Sequence, residues 1–501
     1  MRSSEFDSRF AALNASFVDM GEALVKATEF RDSMVEKLNP RWYPEFHIAA
    51  PAGWINDPNG LCFFNGRYHV FYQHHPYSTQ WGPMHWGHVS SPDLVNWVHE
   101  PIALAPSIEA DRDGVFSGSA VVADDGTLVL FYTGHQWRNG VDDAEGFREV
   151  QCVATSTDGV SFTKGGVVVD CPVVDGVEVL HSRDPKVWRQ GDTWYMIFGV
   201  SAPRDGVPRG EMWMYSSKDL FTWEFDSVLF QDPNPEVFML ECPDFFALGD
   251  HWVLVYSPMG AKADGYAHRN MHNAGYAVGT WAPGTEFSLV KPYEHCDWGH
   301  NFYAPQTFEH DGRRILFGWM GSFTSVLCSQ PEDQWAGQLT LPRELSLDSD
   351  LCLVQKPIHA LETGRSLSFS VDWDERISLP ASQHYRVKID RGVSSAERIS
   401  LSVHRSVDPA NRTRVIYDSL AGRVHLDRGD NVNGDHGFRS VPVDSSRESL
   451  VIDVFVDRGS VEVFVDEGRY AMSSFSFPPE GELDAEIFVE SGSASVEVAL
   501  A

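Results

Sequence analysis

Three acidic residues, Asp57, Asp184 and Glu241, each stand eleven residues before a short apolar run, and this shared phase is the first sign of chemistry in the chain. If the fold superposes them, three carboxylates occupy one space. Mutual repulsion and partial desolvation then hold one of them protonated near neutral pH while the others stay ionised. A carboxylate that attacks and a carboxylic acid that donates a proton are what cleavage of a glycosidic bond requires, and a third, ionised group favours the positive charge that develops between. Retention of configuration asks for the first two about 5 Å apart, and inversion for a wider gap that admits water.

The elements that must position these acids are legible as a repeat. Asp57 leads into Tyr68-His69-Val70-Phe71-Tyr72 and Ser117 into Leu128-Val129-Leu130-Phe131-Tyr132. Asp184 leads into Tyr195-Met196-Ile197-Phe198, Glu241 into Trp252-Val253-Leu254-Val255-Tyr256, and Tyr303 into Arg314-Ile315-Leu316-Phe317. A second repeat follows behind: Ser91-Pro92-Asp93-Leu94 before Trp97, Ser156-Thr157-Asp158-Gly159 before Phe162, and Ser217-Lys218-Asp219-Leu220 before Trp223. A period of about sixty residues, filled with short β-rich runs and turn dipeptides, predicts a five-bladed β-propeller over residues 41–350. The first strand of every blade lines the central channel, so Asp57, Asp184 and Glu241 are expected to face one another. Asp57 lies in Trp54-Ile55-Asn56-Asp57-Pro58-Asn59-Gly60, where Pro58 denies it the helical region and presents it extended.

Around this centre the composition excludes several classes. With 501 residues, 43% of them hydrophobic, and with 16 Trp, 31 Phe and 15 Tyr, the chain is expected to form two or three folded domains. A net charge of −32 argues against nucleic acid or an anionic membrane as a partner. The first thirty residues carry acids and no apolar secretory core, and the seven cysteines are scattered without metal-ligand spacing. Both features predict a cytoplasmic protein with reduced thiols and no metal. Phe10, Leu13, Phe17, Met20 and Leu24 share one helical face, which predicts an N-terminal helical arm over 1–40 that packs on the larger domain or forms a homodimer contact.

Residues suited to a sugar follow the first repeat. Gln73 and Trp81-Gly82-Pro83-Met84-His85-Trp86-Gly87-His88 offer an amide for hydroxyls and indoles for ring faces. Trp81, beside Gly82-Pro83, reads as the rim residue, and Trp86 serves equally well as core.

The motifs Trp-x-Asn-Asp-Pro-Asn-Gly at 54–60, Trp-Gly-x-Met-His-Trp-Gly-His at 81–88, Phe-Ser-Gly-Ser at 116–119, Arg-Asp-Pro at 183–185, Glu-Cys-Pro at 241–243, Phe302-Tyr303-Ala304 and Leu341-Pro342-Arg343-Glu344 together resemble glycoside hydrolase family 32. This is the family of invertases and β-fructofuranosidases, and the intracellular enzymes of the bifidobacterial kind are the most similar in pattern. The resemblance implies a propeller followed by a β-sandwich, a retaining mechanism, and no metal or cofactor. By matching motif it makes Asp57 the nucleophile, Glu241 the general acid/base, and Asp184 the transition-state stabiliser beside Arg183. It also implies that Asn56, Gln73, Trp81, Phe116, Ser117, Tyr303 and Trp319 shape the fructosyl pocket. Two departures stand out. Asn301 replaces an acid that many relatives carry before Phe302-Tyr303, which puts the leaving-group subsite in question. Gln338 stands where a smaller residue is common.

Beyond a linker expected at 351–364, runs such as Leu367-Ser368-Phe369-Ser370-Val371, Arg398-Ile399-Ser400-Leu401-Ser402-Val403 and Val461-Glu462-Val463-Phe464-Val465 alternate with period two. They predict an all-β C-terminal β-sandwich over 365–501, apolar on one face of each strand. For Glu241 the sequence leads us to expect a pKa raised toward about 6, as befits a catalytic acid. The functions weighed are hydrolysis of β-fructofuranosides such as sucrose and short fructo-oligosaccharides, net fructosyl transfer to a sugar acceptor, hydrolysis of sucrose 6-phosphate, and a non-catalytic sugar-binding propeller.

Overall fold

The apolar runs of the repeat form the second strand of five successive antiparallel sheets, where both faces are covered and near-continuous hydrophobicity is required. The computed structural model describes residues 20–359, 364–372, 374–444 and 446–501. The five sheets open with the strands Gly53–Phe64, Gly114–Val122, Ser182–Gln190, Met239–Leu248 and Tyr303–His310. Each opening strand hairpins to its apolar partner, and the chain then steps outward through two more strands. The opening strands pack against their neighbours in sequence, first to second through to fifth, and the fifth packs back on the first. Two further links tie the end of this unit to its start: Trp335–Ala336 pairs in parallel with Gly53–Trp54, and Leu339 donates its N–H to the Ile48 carbonyl at 2.7 Å.

The second repeat is a turn device. Asp93 Oδ1 accepts the N–H groups of Val95 and Asn96, Asp158 Oδ1 those of Val160 and Ser161, and Asp219 Oδ1 those of Phe221 and Thr222. Each caps the loop from third to fourth strand with an Asx turn.

The helix Met20–Val35 ends before Pro40 as expected and rests on this unit through Met20 and through Phe30 against Tyr77. Phe10, Leu13 and Phe17 lie outside the described residues. No helix among the described residues is long and apolar enough to cross a membrane. All seven cysteines are free thiols.

The segment expected as a linker is partly structured. Leu353–Pro357 is the outer strand of the fifth sheet, paired with Arg343–Leu347, so the alternation of that strand belongs to the first unit. From Arg365 two six-stranded antiparallel sheets share one apolar core. The strand Ser460–Val465 is buried on both faces rather than one. Val461, Val463 and Val465 enter that core, while Glu462 and Phe464 face the first unit.

At this seam sits a buried ionic cluster. The Arg343 guanidinium donates to Asp297, Glu462 and Gln355, and His47 bridges Asp457 and Glu462 at 2.8 Å each. All are closed to solvent. Removing one partner of such a cluster strands the others' charge, so Arg343→Met is expected to cost about 3–5 kcal/mol of stability in denaturant titration. Burial works against a charged His47, but the Asp457 and Glu462 carboxylates outweigh it and hold the imidazole up at about 9. Its contribution is whole below the ordinary 6.5 and is lost as pH rises through 9. Burial likewise works against an ionised Glu462, yet Arg343 and His47 hold it down at about 2, so its contribution is whole above 4.5 and is lost toward pH 2. Melting temperatures compared between wild type and His47→Gln should therefore diverge most below about pH 6.5 and converge at alkaline pH.

Candidate active site

Each opening strand is interrupted at the same place. Register shifts fall between Ile55 and Pro58, Phe116 and Gly118, Arg183 and Lys186, Glu241 and Asp244, and Tyr303 and Gln306. These bulges bracket Asp57, Ser117, Asp184, Cys242 and Ala304, and a bulge re-aims side chains out of the alternation of its strand. Asp184, Cys242 and Ala304 hold φ values of 68°, 48° and 49°, a left-handed backbone that non-glycine residues adopt at a cost of about 1–3 kcal/mol. In the second sheet Gly118 completes the bulge, and a Cβ there would lie 1.9 Å from the Phe131 carbonyl oxygen. Three of the five bulges therefore carry backbone strain at the level where the opening strands meet.

There they line a cavity of about 470 Å³ into which Asp57, Asp184 and Glu241 all open. Asp57 is held at both oxygens: Ser117 Oγ donates to Oδ2 at 2.6 Å and Asn56 Nδ2 to Oδ1 at 3.0 Å. Asn56 is itself fixed by Trp54 Nε1 at 2.8 Å. The Cys242 thiol lies 3.3 Å from Asp57 Oδ2, and the Cys242 backbone N–H donates to Asp184 Oδ2 at 2.9 Å. Glu241 receives Arg183 Nη2 at 2.6 Å on Oε1 and the Tyr303 hydroxyl on Oε2.

Of the other expected site residues, Gln73, Trp81, Phe116, Ser117, Arg183 and Tyr303 line the cavity. Trp81 is 41% exposed and Trp86 is fully buried, which separates rim from core. Trp319 is not among the lining residues. It is buried behind them, packed on Trp54 and Phe323, because its strand turns that face toward the core. Asn301 is likewise away from this cavity: its Oδ1 accepts the Phe475 N–H at 3.0 Å and its Nδ2 donates to the Gly321 carbonyl, so it fastens the seam and carries no subsite charge. Gln338 donates to Ser460 Oγ at 2.9 Å, also at the seam.

Residues that the sequence reading missed complete the walls, among them Glu149, His181, Met259, His272 and Phe323. Glu149 is the most consequential. Buried at 1% exposure, it accepts both Arg183 Nη1 contacts at 3.2 and 3.3 Å and the Ser182 N–H at 2.9 Å, and so aims Nη2 at Glu241. It lies on a third strand, outside the phase of the repeat.

The electrostatics differ from the expectation for Glu241. Burial alone would raise its pKa, but the Arg183 charge and hydrogen bond, the Tyr303 hydroxyl and His272 outweigh burial and hold it below its ordinary value. Burial raises Asp57, Glu241 adds to it, and the Ser117, Asn56 and Cys242 hydrogen bonds oppose. Asp184 is pushed up to about 8 by burial, with Arg183 and the Cys242 N–H opposing and the Asp57 and Glu241 charges reinforcing. At about 8, Asp184 is the member of the triad that is protonated at neutral pH. No group of three or more His, Cys, Asp or Glu among the described residues is placed to hold a metal ion.

Comparison with known proteins places this site in context. Residues 47–357 match the glycosyl hydrolases family 32 N-terminal domain and residues 356–500 the family 32 C-terminal region. A sucrose-6-phosphate hydrolase of Escherichia coli is 42% identical over 463 residues, spanning 92% of this chain and 95% of the relative. A raffinose invertase of Escherichia coli is 42% identical over 475 residues, spanning 92% and 96%. Among solved structures, a GH32 beta-fructofuranosidase of Bombyx mori superposes with a TM-score of 0.82 at 34% identity, covering 96% of this chain and 98% of that one.

Proposed function

The chain belongs to glycoside hydrolase family 32, and from that premise we propose that it releases fructose from terminal β-D-fructofuranosides, sucrose and short fructo-oligosaccharides, through a covalent fructosyl intermediate with retention. The observation that carries the reading is the grip on the two working acids: Asp57 pinned by Ser117 and Asn56, and Glu241 held by Arg183 and Tyr303 across the same cavity. In the same reading the five sheets are blades of a propeller, supported by the ring of packing among their opening strands, and the two six-stranded sheets form a β-sandwich.

Asp57 attacks the anomeric carbon while Glu241, protonated, delivers its proton to the departing glycosidic oxygen. Water then gives a proton to Glu241 and attacks the same carbon, freeing Asp57. For the first step the proton must pass from Asp184 to Glu241. A fructosyl ring over Asp57 supplies the means: its hydroxyls engage Arg183 and Asp184, which weakens the hold on Glu241 while the ring excludes water. Ionised Asp184 then faces the developing oxocarbenium charge. Because kcat/KM reports the free enzyme, its alkaline limb should fall near pH 8, where the Asp184 proton is lost.

Glu149 serves this arrangement through Arg183. Glu149→Gln, which keeps the shape but loses the charge, is expected to lower kcat/KM about 10–10²-fold and to displace that alkaline limb. A purely structural change would lower activity without moving the pH profile. The function itself is tested by comparing initial rates on sucrose, sucrose 6-phosphate, kestose and inulin. Free fructose from sucrose supports the reading, longer oligosaccharides indicate transfer, and no turnover of any of the four refutes it.

A further inference from the structure

Behind the wall formed by His272, Tyr303 and Phe323 lies a second cavity of about 200 Å³, which shares those three residues with the catalytic one. Its charged lining is predominantly basic. Arg269 comes from the loop ahead of the strand Gly275–Thr280, and Arg428 and Arg439 come from the paired strands Arg423–Asp430 and Phe438–Pro442 of the C-terminal unit. The chain carries 71 acids against 39 Lys and Arg, so general basicity does not account for the cluster.

These guanidiniums are poorly compensated. Arg428 is only 7% exposed, and its Nε has no hydrogen-bond partner among the described residues. Its Nη1 reaches Asn301 Oδ1, Ser474 Oγ and the Phe475 carbonyl at 3.3–3.4 Å, long for a charged donor. The carboxylate that lines the cavity, Asp435, is largely exposed and stands 3.9 Å from Arg428 Nη2. Among the described residues Arg439 donates only to uncharged oxygens: Asn270 Oδ1 and the Phe438 and Arg269 carbonyls. Burial pulls both down to about 10, with Asp435 opposing and Arg439 reinforcing at Arg428, and with Arg269 reinforcing at Arg439. Arg343 and Arg183, the other deeply buried arginines discussed above, each meet two carboxylates within 3.2 Å. A buried arginine without such partners is stabilised by whatever anion can reach it.

We propose that this cavity is an anion site that takes a phosphate monoester or free phosphate between the Arg428 and Arg439 guanidiniums, with Arg269 closing the solvent side. If the phosphate is borne by the substrate, a part that rests on the fructofuranosidase reading, the site selects a phosphorylated leaving group from across the Tyr303 wall. If it is inorganic phosphate, the site is a neighbouring effector site.

The test is calorimetric titration of wild type, Arg439→Gln and the exposed-site variant Arg269→Ala with inorganic phosphate at low ionic strength, alongside KM for sucrose and for sucrose 6-phosphate. Phosphate should bind wild type and bind each variant about tenfold or more weakly. Competition between phosphate and sucrose 6-phosphate, with the variants raising KM for the phosphorylated sugar about tenfold more than for sucrose, assigns the anion to the substrate. Phosphate binding without competition, and an unchanged KM ratio, assigns it to a free effector. No phosphate binding by wild type, with KM for both sugars shifted equally by the variants, overturns the proposal. Turnover of sucrose by the same preparations reports on the parent reading separately: protein that binds phosphate yet releases fructose from neither sugar keeps the anion site and refutes the fructofuranosidase.

Discussion

Asp57→Asn should lower kcat on sucrose by at least ~10⁴-fold while leaving the fold and sugar binding near wild type, the loss expected when a covalent nucleophile is removed. The substitution preserves shape. The asparagine carbonyl can still accept from Ser117 Oγ, which contacts Asp57 Oδ2 at 2.6 Å, so the side chain stays at the cavity floor. An amide there cannot form the ester on which the two-step route depends. A second effect follows from charge. Asp57 is one of the anions that hold Asp184 up at about 8, so the residual activity should lose its alkaline limb at a lower pH than wild type. A fall in kcat of less than about tenfold would place the nucleophile elsewhere.

Glu241→Gln should cost about 10²–10⁴ in turnover of sucrose, and much less with an aryl fructoside whose leaving group needs no proton. With such a substrate the first step proceeds and the second, which needs a general base, stalls, so a fructosyl-enzyme accumulates and added azide accelerates turnover. The acid in question is the one whose environment differs most from the sequence expectation. Arg183 and Tyr303 outweigh burial and hold Glu241 below its ordinary value, while burial pushes Asp184 up to about 8. The same burst on sucrose as on the aryl substrate would show that Glu241 is not the acid.

What could be read in advance was whatever the repeat controls. The eleven-residue phase marked five equivalent positions, and each falls at or beside a bulge of its opening strand, because a fixed offset from an apolar hairpin partner is a local matter of one sheet. The rim position of Trp81 followed from its Gly-Pro neighbours. Glu149 and His272 escaped because they come from a third strand and a connecting loop, and their approach to Arg183 and Glu241 depends on how neighbouring sheets lean on each other. Trp319 and Asn301 were hard to read for a related reason: Trp319, on the second strand of the fifth sheet, packs on Trp54 and Phe323, and Asn301, just ahead of that sheet's opening strand, fastens Phe475 of the C-terminal unit, and a motif does not show which face such contacts cover. The lowered pKa of Glu241 rests on the Arg183 guanidinium, the Tyr303 hydroxyl and His272, and Arg183 is aimed by Glu149, a buried partner with no sequence signature. The both-faces burial of Ser460–Val465 likewise needed the seam to be seen, since alternation alone implies one exposed face.

The stereochemistry of transfer bears most directly on whether Asp57 and Glu241 work as a pair on one anomeric carbon. Sucrose turned over in aqueous methanol yields a methyl fructofuranoside that does not mutarotate, and its anomeric configuration is read by NMR. Double displacement through Asp57 predicts methyl β-D-fructofuranoside as the initial product, and the α anomer would contradict it.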